Sequence, residues 1–143
     1  MSHQPPSPDH GVHKFLSGAL RSAAPGRLMN ARTGQAVAEA VELAVTSASR
    51  RRGLLGRDGL EPGAALVIAP CNSIHMFFMR FAIDVVYVDR AGRVRKIVRG
   101  LRPWRISAAM SAYAVIELGA GSLDGCDIER GDRLYVEIPA PPS

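Results

Sequence analysis

Between Cys71 and Asp89 the chain reads CNSIHMFFMRFAIDVVYVD, and five of these side chains could do chemistry: Cys71, Asn72, His75, Arg80 and Asp84. They stand among Met76, Phe77, Phe78, Met79, Phe81 and three valines, company that suits a core. A polar group buried there without a hydrogen bond costs roughly 1–3 kcal/mol. The chain keeps such groups either to fix its architecture or to act on something. Nucleophilic catalysis by cysteine needs a thiolate, a base to make it and a third group to orient the base. Cys71, His75 and Asp84 supply those three types. The competing reading is structural: a small buried thiol and a histidine satisfied by backbone.

Metal binding is a further candidate, because Cys71-x-x-x-His75 is half a site that Cys126 or Asp84 would complete. Zinc sites usually show two close-spaced ligand pairs, and the second pair is missing here. No metal and no cofactor is expected. Asp84 and Arg80 are four apart on a strand–loop–strand path, and an ion pair between them is the architectural alternative. Breaking such a buried pair from one side costs roughly 3–5 kcal/mol. Glu117 stands in an apolar strand, with Arg80 or one of Arg50 to Arg52 as its expected partner. Two carboxylates raise glycosidase chemistry, but nothing in the spacing makes Asp84 and Glu117 face each other.

Arg93, Arg95, Lys96, Arg99, Arg102 and Arg105 form the densest basic stretch, with Trp104 inside it. Phosphate attraction beside an aromatic stacking surface is the pattern of single-strand nucleic-acid binding. A solvated strand face would read the same way. The Met–Phe run is most economically core, with a share left to line an apolar mouth where a small ligand sits. Gly119 and Gly121 do not form a phosphate loop, since no lysine or helix start follows at the required spacing.

The surrounding segments must position these groups. Leu28 to Arg32 followed by Thr33-Gly34 reads as a hairpin. Ala36 to Ala48 is alanine-rich, as a helix would be, yet Val37, Glu39, Val41, Leu43 and Val45 alternate as in a strand; a strand to about Ala44 is expected. Thr46 or Ser47 then caps a short helix to about Leu55, ended by Gly56. Three adjacent arginines, Arg50 to Arg52, cannot share one helical face, so at least one points toward the body of the domain. Ala64 to Ala69 and Ile83 to Val88 read as buried strands. Arg93 to Arg99 is a partner strand with Val94 and Val98 on one face. Gly100 to Ala112 is a loop, and Tyr113 to Leu118 and Leu134 to Ile138 are strands.

Short strands joined by glycine turns predict a mainly β, compact, barrel-like single domain with one short helix. Residues 28–138 form it, between a disordered tail (1–27) and a C-terminal tail (139–143). Val12, Phe15, Leu16 and Leu20 could make a weak amphipathic turn in the first tail. The 143 residues, 47% hydrophobic and 22% charged, suit one soluble globular domain. No apolar run reaches the roughly 20 residues of a membrane-spanning helix, and a cytoplasmic location is expected. Cys71 and Cys126 are too few for a disulfide scaffold. The net charge of +5 comes almost wholly from arginine, and it predicts weak association with polyanions.

SRRRGLLGR (Ser49 to Arg57), ALVIAPCNSIHMFFMRFAIDVVYVDRAGRV (Ala65 to Val94), a Pro-Trp loop, VIELGAGSLDGCDIERGD (Val115 to Asp132) and a closing strand arrive in a fixed order. Over Leu28 to Ile138 this resembles the domain of unknown function 192 family, a group of small prokaryotic proteins. The resemblance implies a mainly β, barrel-like fold with a short helix after the first long strand, and it implies no reaction. It carries over His75, Met79, Arg80 and Asp84, with Glu117 and Gly121 from the later motif. Met76 departs from the small polar residue that relatives of this subtype often have there. The expected function is a non-enzymatic binding or accessory module, its pocket drawn from Cys71, Asn72, His75, Met79, Arg80, Asp84, Glu117 and Gly121. The pocket would serve a small ligand or a protein partner. The alternatives are a cysteine- or metal-dependent hydrolase using Cys71 and His75, and a weak nucleic-acid binder using Arg93 to Arg105.

Overall fold

The computed structural model describes residues 26–138; the amphipathic turn and most of both tails lie outside them. The elements in chain order are β1 (Gly26–Asn30), β2 (Ala36–Ala44), α1 (Ser47–Arg52), β3 (Ala64–Ile68), β4 (Ser73–His75), β5 (Ile83–Val88), β6 (Val94–Leu101), β7 (Ile106–Ala108), β8 (Ala114–Gly119) and β9 (Leu134–Glu137). Seven of them make one sheet in the order β6-β5-β8-β3-β2-β1-β9, and β4 pairs with β7 in a small second sheet.

The large sheet does not close into a barrel. Its two edge strands meet at one corner, through an isolated bridge between Arg93 and Arg133. Backbone bonds from Val94 N to Asp132 O and from Leu134 N to Gly92 O, both 2.8 Å, pin that corner. The strand order begins two residues earlier than the sequence suggests. Arg27 bonds Glu137 at 3.0 Å across the β1–β9 pair, and a Cβ at Gly26 would collide with Val136.

β2 is a strand despite its alanines, because it lies parallel to β3 in the register Ala40–Ala64 to Ala44–Ile68. Ladder pairing and burial of Val37, Ala38, Val41 and Ala44 override local propensity. Parallel neighbours need a crossover, and α1 lies within it. Thr46 caps that helix with a reciprocal Thr46–Ser49 box, and Gly53 ends it. The helix is therefore one turn shorter than predicted: Gly53, at φ 47°, is the first glycine able to stop it, ahead of Gly56.

The central strands are covered on both faces, as the unbroken apolar runs suggested; every residue of β5 is buried. One core holds Leu28, Val67, Val86, Val88, Ile116, Leu118 and Leu123. The other, on the opposite face, holds Leu54, Leu66, Met76, Met79, Ile83, Val85, Tyr87 and Val115. Leu54 after α1, Ile74 of β4 and the Met76–Met79 turn supply its outer layer.

β6 corrects one expectation. Val94 packs in the first core while Val98 packs against the second. The β5–β6 register slips between Tyr87 and Val88, so Tyr87 faces Lys96 and Val88 faces Val94. One extra residue in a strand flips every side chain beyond it. The expected loop at Gly100 to Ala112 also contains β7, whose Ile106 lies opposite His75 and whose Ser107 lies opposite Ile74.

Candidate functional site

The central segment is split between the two faces of the sheet. In the β5–β8 register Val85 pairs with Glu117 and Asp84 with Leu118. Neighbours across a ladder share a face and successive residues alternate, so Glu117 and Asp84 point to opposite sides. That single register removes the Cys71–His75–Asp84 set and the paired-carboxylate geometry together.

Asp84 is 1% exposed. Its Oδ1 accepts the Gly100 N–H at 2.9 Å and its Oδ2 the Leu123 N–H at 3.0 Å. These bonds tie β5 to the end of β6 and to the loop after β8, and they replace the expected pair with Arg80. Arg80 lies outside on the surface and bonds Asp58 at 2.8 Å, both side chains mostly in water. Gly121 sits in the turn after β8 at φ 87°, a left-handed conformation that favours glycine.

Four of the eight named residues do share a space. Cys71, His75, Met79 and Glu117 line a cavity of ≈150 Å³ with Arg50, Arg51 and Arg52. Leu54, Ile68 and Met76 make its apolar wall. Asn72 instead borders a wider surface depression beside Asp89, Arg90 and Tyr113. Met76, 1% exposed, fills volume under the cavity rather than opening it.

Glu117 is the unusual group there. It is 6% exposed, and among the described residues no hydrogen bond reaches its carboxyl. Burial drives its pKa up to about 7, opposed only by the charge of Arg57. Arg57 is itself engaged with Glu42 through two bonds of 2.8 and 3.0 Å. The expected partners, Arg80 and Arg50 to Arg52, make no such bond.

Arg50 is the arginine that turns inward. Its Nη1 donates to the Pro70 carbonyl at 3.1 Å, while its Nε is buried with no acceptor. Arg51 and Arg52 are exposed. The hydroxyls of Tyr87 and Ser107, on the same side of the sheet, are also buried and lie near each other outside hydrogen-bonding geometry. Nothing in composition or spacing pointed to Tyr87, Ser107 or the orphaned Nε; the one available signal was a tyrosine inside a strand buried on both faces.

Cys71 Sγ donates to the Ser73 carbonyl at 3.1 Å. Burial pushes its thiol pKa up, with the Ser73 contact and Arg50 acting the other way. An activated nucleophile needs the reverse. His75 is exposed, accepts the Phe77 N–H through Nδ1 at 3.4 Å and stacks on Phe77 with ring centroids 4.8 Å apart. It neither bonds Cys71 nor meets an orienting carboxylate. Cys126 packs against the other core, and among the described residues no three His, Cys, Asp or Glu side chains are placed to hold a metal ion. No described helix is long and apolar enough to cross a membrane.

The basic stretch is spread out. Arg93, Arg95, Arg99, Arg102, Trp104 and Arg105 are all exposed, but Arg95 bonds Ser111 and Lys96 bonds the Ala108 carbonyl. A register slip in β6 falls within the stretch, at Arg95.

The chain is similar to other proteins in sequence and in fold. A protein described as "UPF0127 protein" from Thermococcus sibiricus is 34% identical over 120 residues, covering 78% of this chain and 75% of its own. A second UPF0127 protein, from Thermococcus gammatolerans, is 37% identical over 103 residues, covering 68% and 67%. A crystal structure from Sinorhizobium meliloti, described as a candidate transcription regulator, superposes with a TM-score of 0.68 at 24% identity, over 80% of this chain and 97% of that one. A protein of unknown function from Novosphingobium aromaticivorans gives 0.66 at 24%, over 78% and 83%. These structures share the fold. The family described as "Uncharacterized ACR, COG1430" matches residues 28–136, and the chain therefore belongs to it, the domain of unknown function 192 family.

Proposed function

We propose that the protein is a non-enzymatic binding module whose cavity beneath α1 takes a small polar ligand. The observation that carries this is Glu117: a carboxyl 6% exposed, lining a cavity of ≈150 Å³, with no hydrogen bond from the described residues. Buried polar groups are ordinarily satisfied, and one left open toward a cavity is satisfied by what enters it. Arg50, which lines the same cavity, sets the second requirement. A suitable ligand offers a donor to Glu117 and an acceptor to Arg50, on a body small and apolar enough for Leu54, Ile68, Met76 and Met79. An amide, or a short amino or hydroxy acid, has that chemistry.

The hydrolase reading has less support, since the Cys71 thiol is raised and His75 has no orienting partner. The test is a ligand-observed NMR screen of small amides and of amino and hydroxy acids. It is run on the wild-type protein, Glu117→Gln and His75→Ala, with circular dichroism to establish folding. Hits that bind the wild type and lose affinity on folded Glu117→Gln support the cavity. Hits unaffected by either substitution would dispose of it.

A further inference from the structure

Beside His75, which lines the cavity, the chain displays apolar side chains that the pocket does not use. Phe78 and Trp104 are 74% and 59% exposed, with ring centroids 4.9 Å apart at 59°. Phe77 lies 5.8 Å from Trp104 and stacks on His75. Ile106, 69% exposed, is the cross-strand neighbour of His75. The result is a shelf of exposed rings joined to Ile106 through His75, at β4 and β7.

Its backbone is unusual in the same place. Among the described residues, Phe78 at φ 64° and Trp104 at φ 69° are the only non-glycine residues with positive φ. Bulky residues rarely adopt this conformation, and it persists only where the surroundings impose it. Here the Met76 carbonyl accepts both the Met79 N–H at 3.3 Å and the Trp104 N–H at 2.8 Å. Two turns are thereby locked together, and both aim a large aromatic side chain into water.

Arginines flank these residues along the chain. Arg80 follows Phe78 by two residues, Arg102 precedes Trp104 by two and Arg105 adjoins Ile106, all of them exposed. Of these three, and among the described residues, Arg80 alone has an acidic partner, Asp58, in a solvent-exposed pair. Exposed aromatic and aliphatic side chains within a cationic rim match an interface that is apolar inside and anionic at its surface.

We propose that this shelf docks the protein on an anionic lipid surface, with Phe78, Trp104 and Ile106 entering the headgroup boundary and Arg80, Arg102 and Arg105 meeting the phosphates. Single-stranded nucleic acid fits less well. The rings lean on one another instead of offering free faces, and Ile106 gives bulk without stacking. The proposal is independent of what the cavity binds.

Trp104 is the only tryptophan, so its emission reports on the shelf directly. With the full chain, vesicles of phosphatidylcholine plus phosphatidylglycerol should shift that emission to the blue and sediment the protein. Phosphatidylcholine alone should do so weakly. Phe78→Ser, Ile106→Ser and the pair Arg102→Gln with Arg105→Gln should each weaken partitioning by about tenfold. Phe78→Gly is the discriminating variant. Glycine relieves the positive φ, so thermal stability should hold or rise while partitioning falls. Four results would overturn the proposal: no spectral shift with anionic vesicles; shift and sedimentation unchanged in Phe78→Gly; salt-sensitive quenching of Trp104 by oligothymidylate in place of vesicle binding; or a solution dimer that Phe78→Ser dissociates.

Discussion

Asp132, in the turn before β9, and Glu117, within the central strand β8, are both buried carboxylates, and their surroundings treat them in opposite ways. The Asp132 side chain is 5% exposed. It takes bonds from Arg32 Nε at 2.7 Å, Asn30 Nδ2 at 2.8 Å, the Glu129 N–H at 2.8 Å and Arg32 Nη2 at 3.1 Å. What covers it is chiefly the group that neutralises it, so its pKa falls to about 2, with the Arg32 bond as the leading cause. Glu117 has burial and no bond, and rises to about 7. Asp84, with two backbone donors, belongs with Asp132. A satisfied carboxylate holds elements together: Asp132 joins the β1–β2 turn to the turn before β9, at the corner where the sheet's edges meet. An unsatisfied one sits beside empty space. In this molecule the hydrogen-bond count separates scaffold from candidate site more sharply than burial does.

The largest effect should follow from breaking the satisfied member. Asp132→Ala leaves the buried Asn30 amide and the Glu129 N–H without their acceptor and is expected to cost roughly 3 kcal/mol. Urea titration measures it directly. The pH dependence carries a definite sign. Because the folded pKa lies below the ordinary 3.8, the stabilisation is complete above about pH 4 and is lost as pH falls toward about 2. A loss below 0.5 kcal/mol, a figure on the order of a neutral surface change, would show that the network is ornamental.

Glu117 should respond in the reverse direction. Its folded pKa lies above the ordinary 4.5, so below about pH 4 both states are protonated and nothing is lost. As pH rises from there to about 7 the unfolded chain ionises first, and stability falls by up to about 3 kcal/mol before levelling. Glu117→Gln should therefore match the wild type at pH 4 and exceed it by about 2 kcal/mol at pH 8. Paired thermal melts at the two pH values decide the matter. A Glu117→Gln protein that is less stable at pH 8 would mean the carboxylate already has a partner, and the contrast with Asp132 would vanish.

Much of the scaffold was legible in the chain, because burial leaves a period in the sequence. The double-sided strand at Ile83, the strands from Tyr113 and from Leu134 and a cap at Thr46 or Ser47 could all be anticipated from apolar spacing and turn residues. The bulge in β6 could not, since one inserted residue alters no local pattern, and it reversed the face assigned to Val98. The site was legible in part. Residue types marked the Cys71–Asp84 segment, but alternation across a ladder decides which side each group takes. Asp84 and Glu117 are adjacent in the sheet and separated by it. Tyr87, Ser107 and the Arg50 Nε stand out only by lacking partners, a property of three-dimensional surroundings that no residue type announces.

A smaller effect concerns Cys71. Burial holds its thiol above the ordinary range. In a Cys126→Ser background, alkylation by iodoacetamide should therefore stay slow through neutral pH and accelerate only above the unperturbed midpoint of about 8.5. A midpoint near 7 on the same approximate scale would instead mark an activated thiolate and revive the nucleophile reading.

The smallest expected effect lies at Arg80, the residue that sequence spacing paired with Asp84. Its actual partner is Asp58, at 2.8 Å, with side chains 61% and 89% exposed. Two charges that keep most of their water gain little from meeting, and ordering two mobile side chains offsets what they gain. Arg80→Ala should therefore change stability by no more than about 0.5 kcal/mol, and less still at high salt. Asp84→Ala, which strands the Gly100 and Leu123 N–H groups, should cost roughly 2–3 kcal/mol. If the two substitutions proved equal and non-additive, Arg80 and Asp84 would have to be coupled after all. Additive, unequal losses are what two groups with separate partners must give.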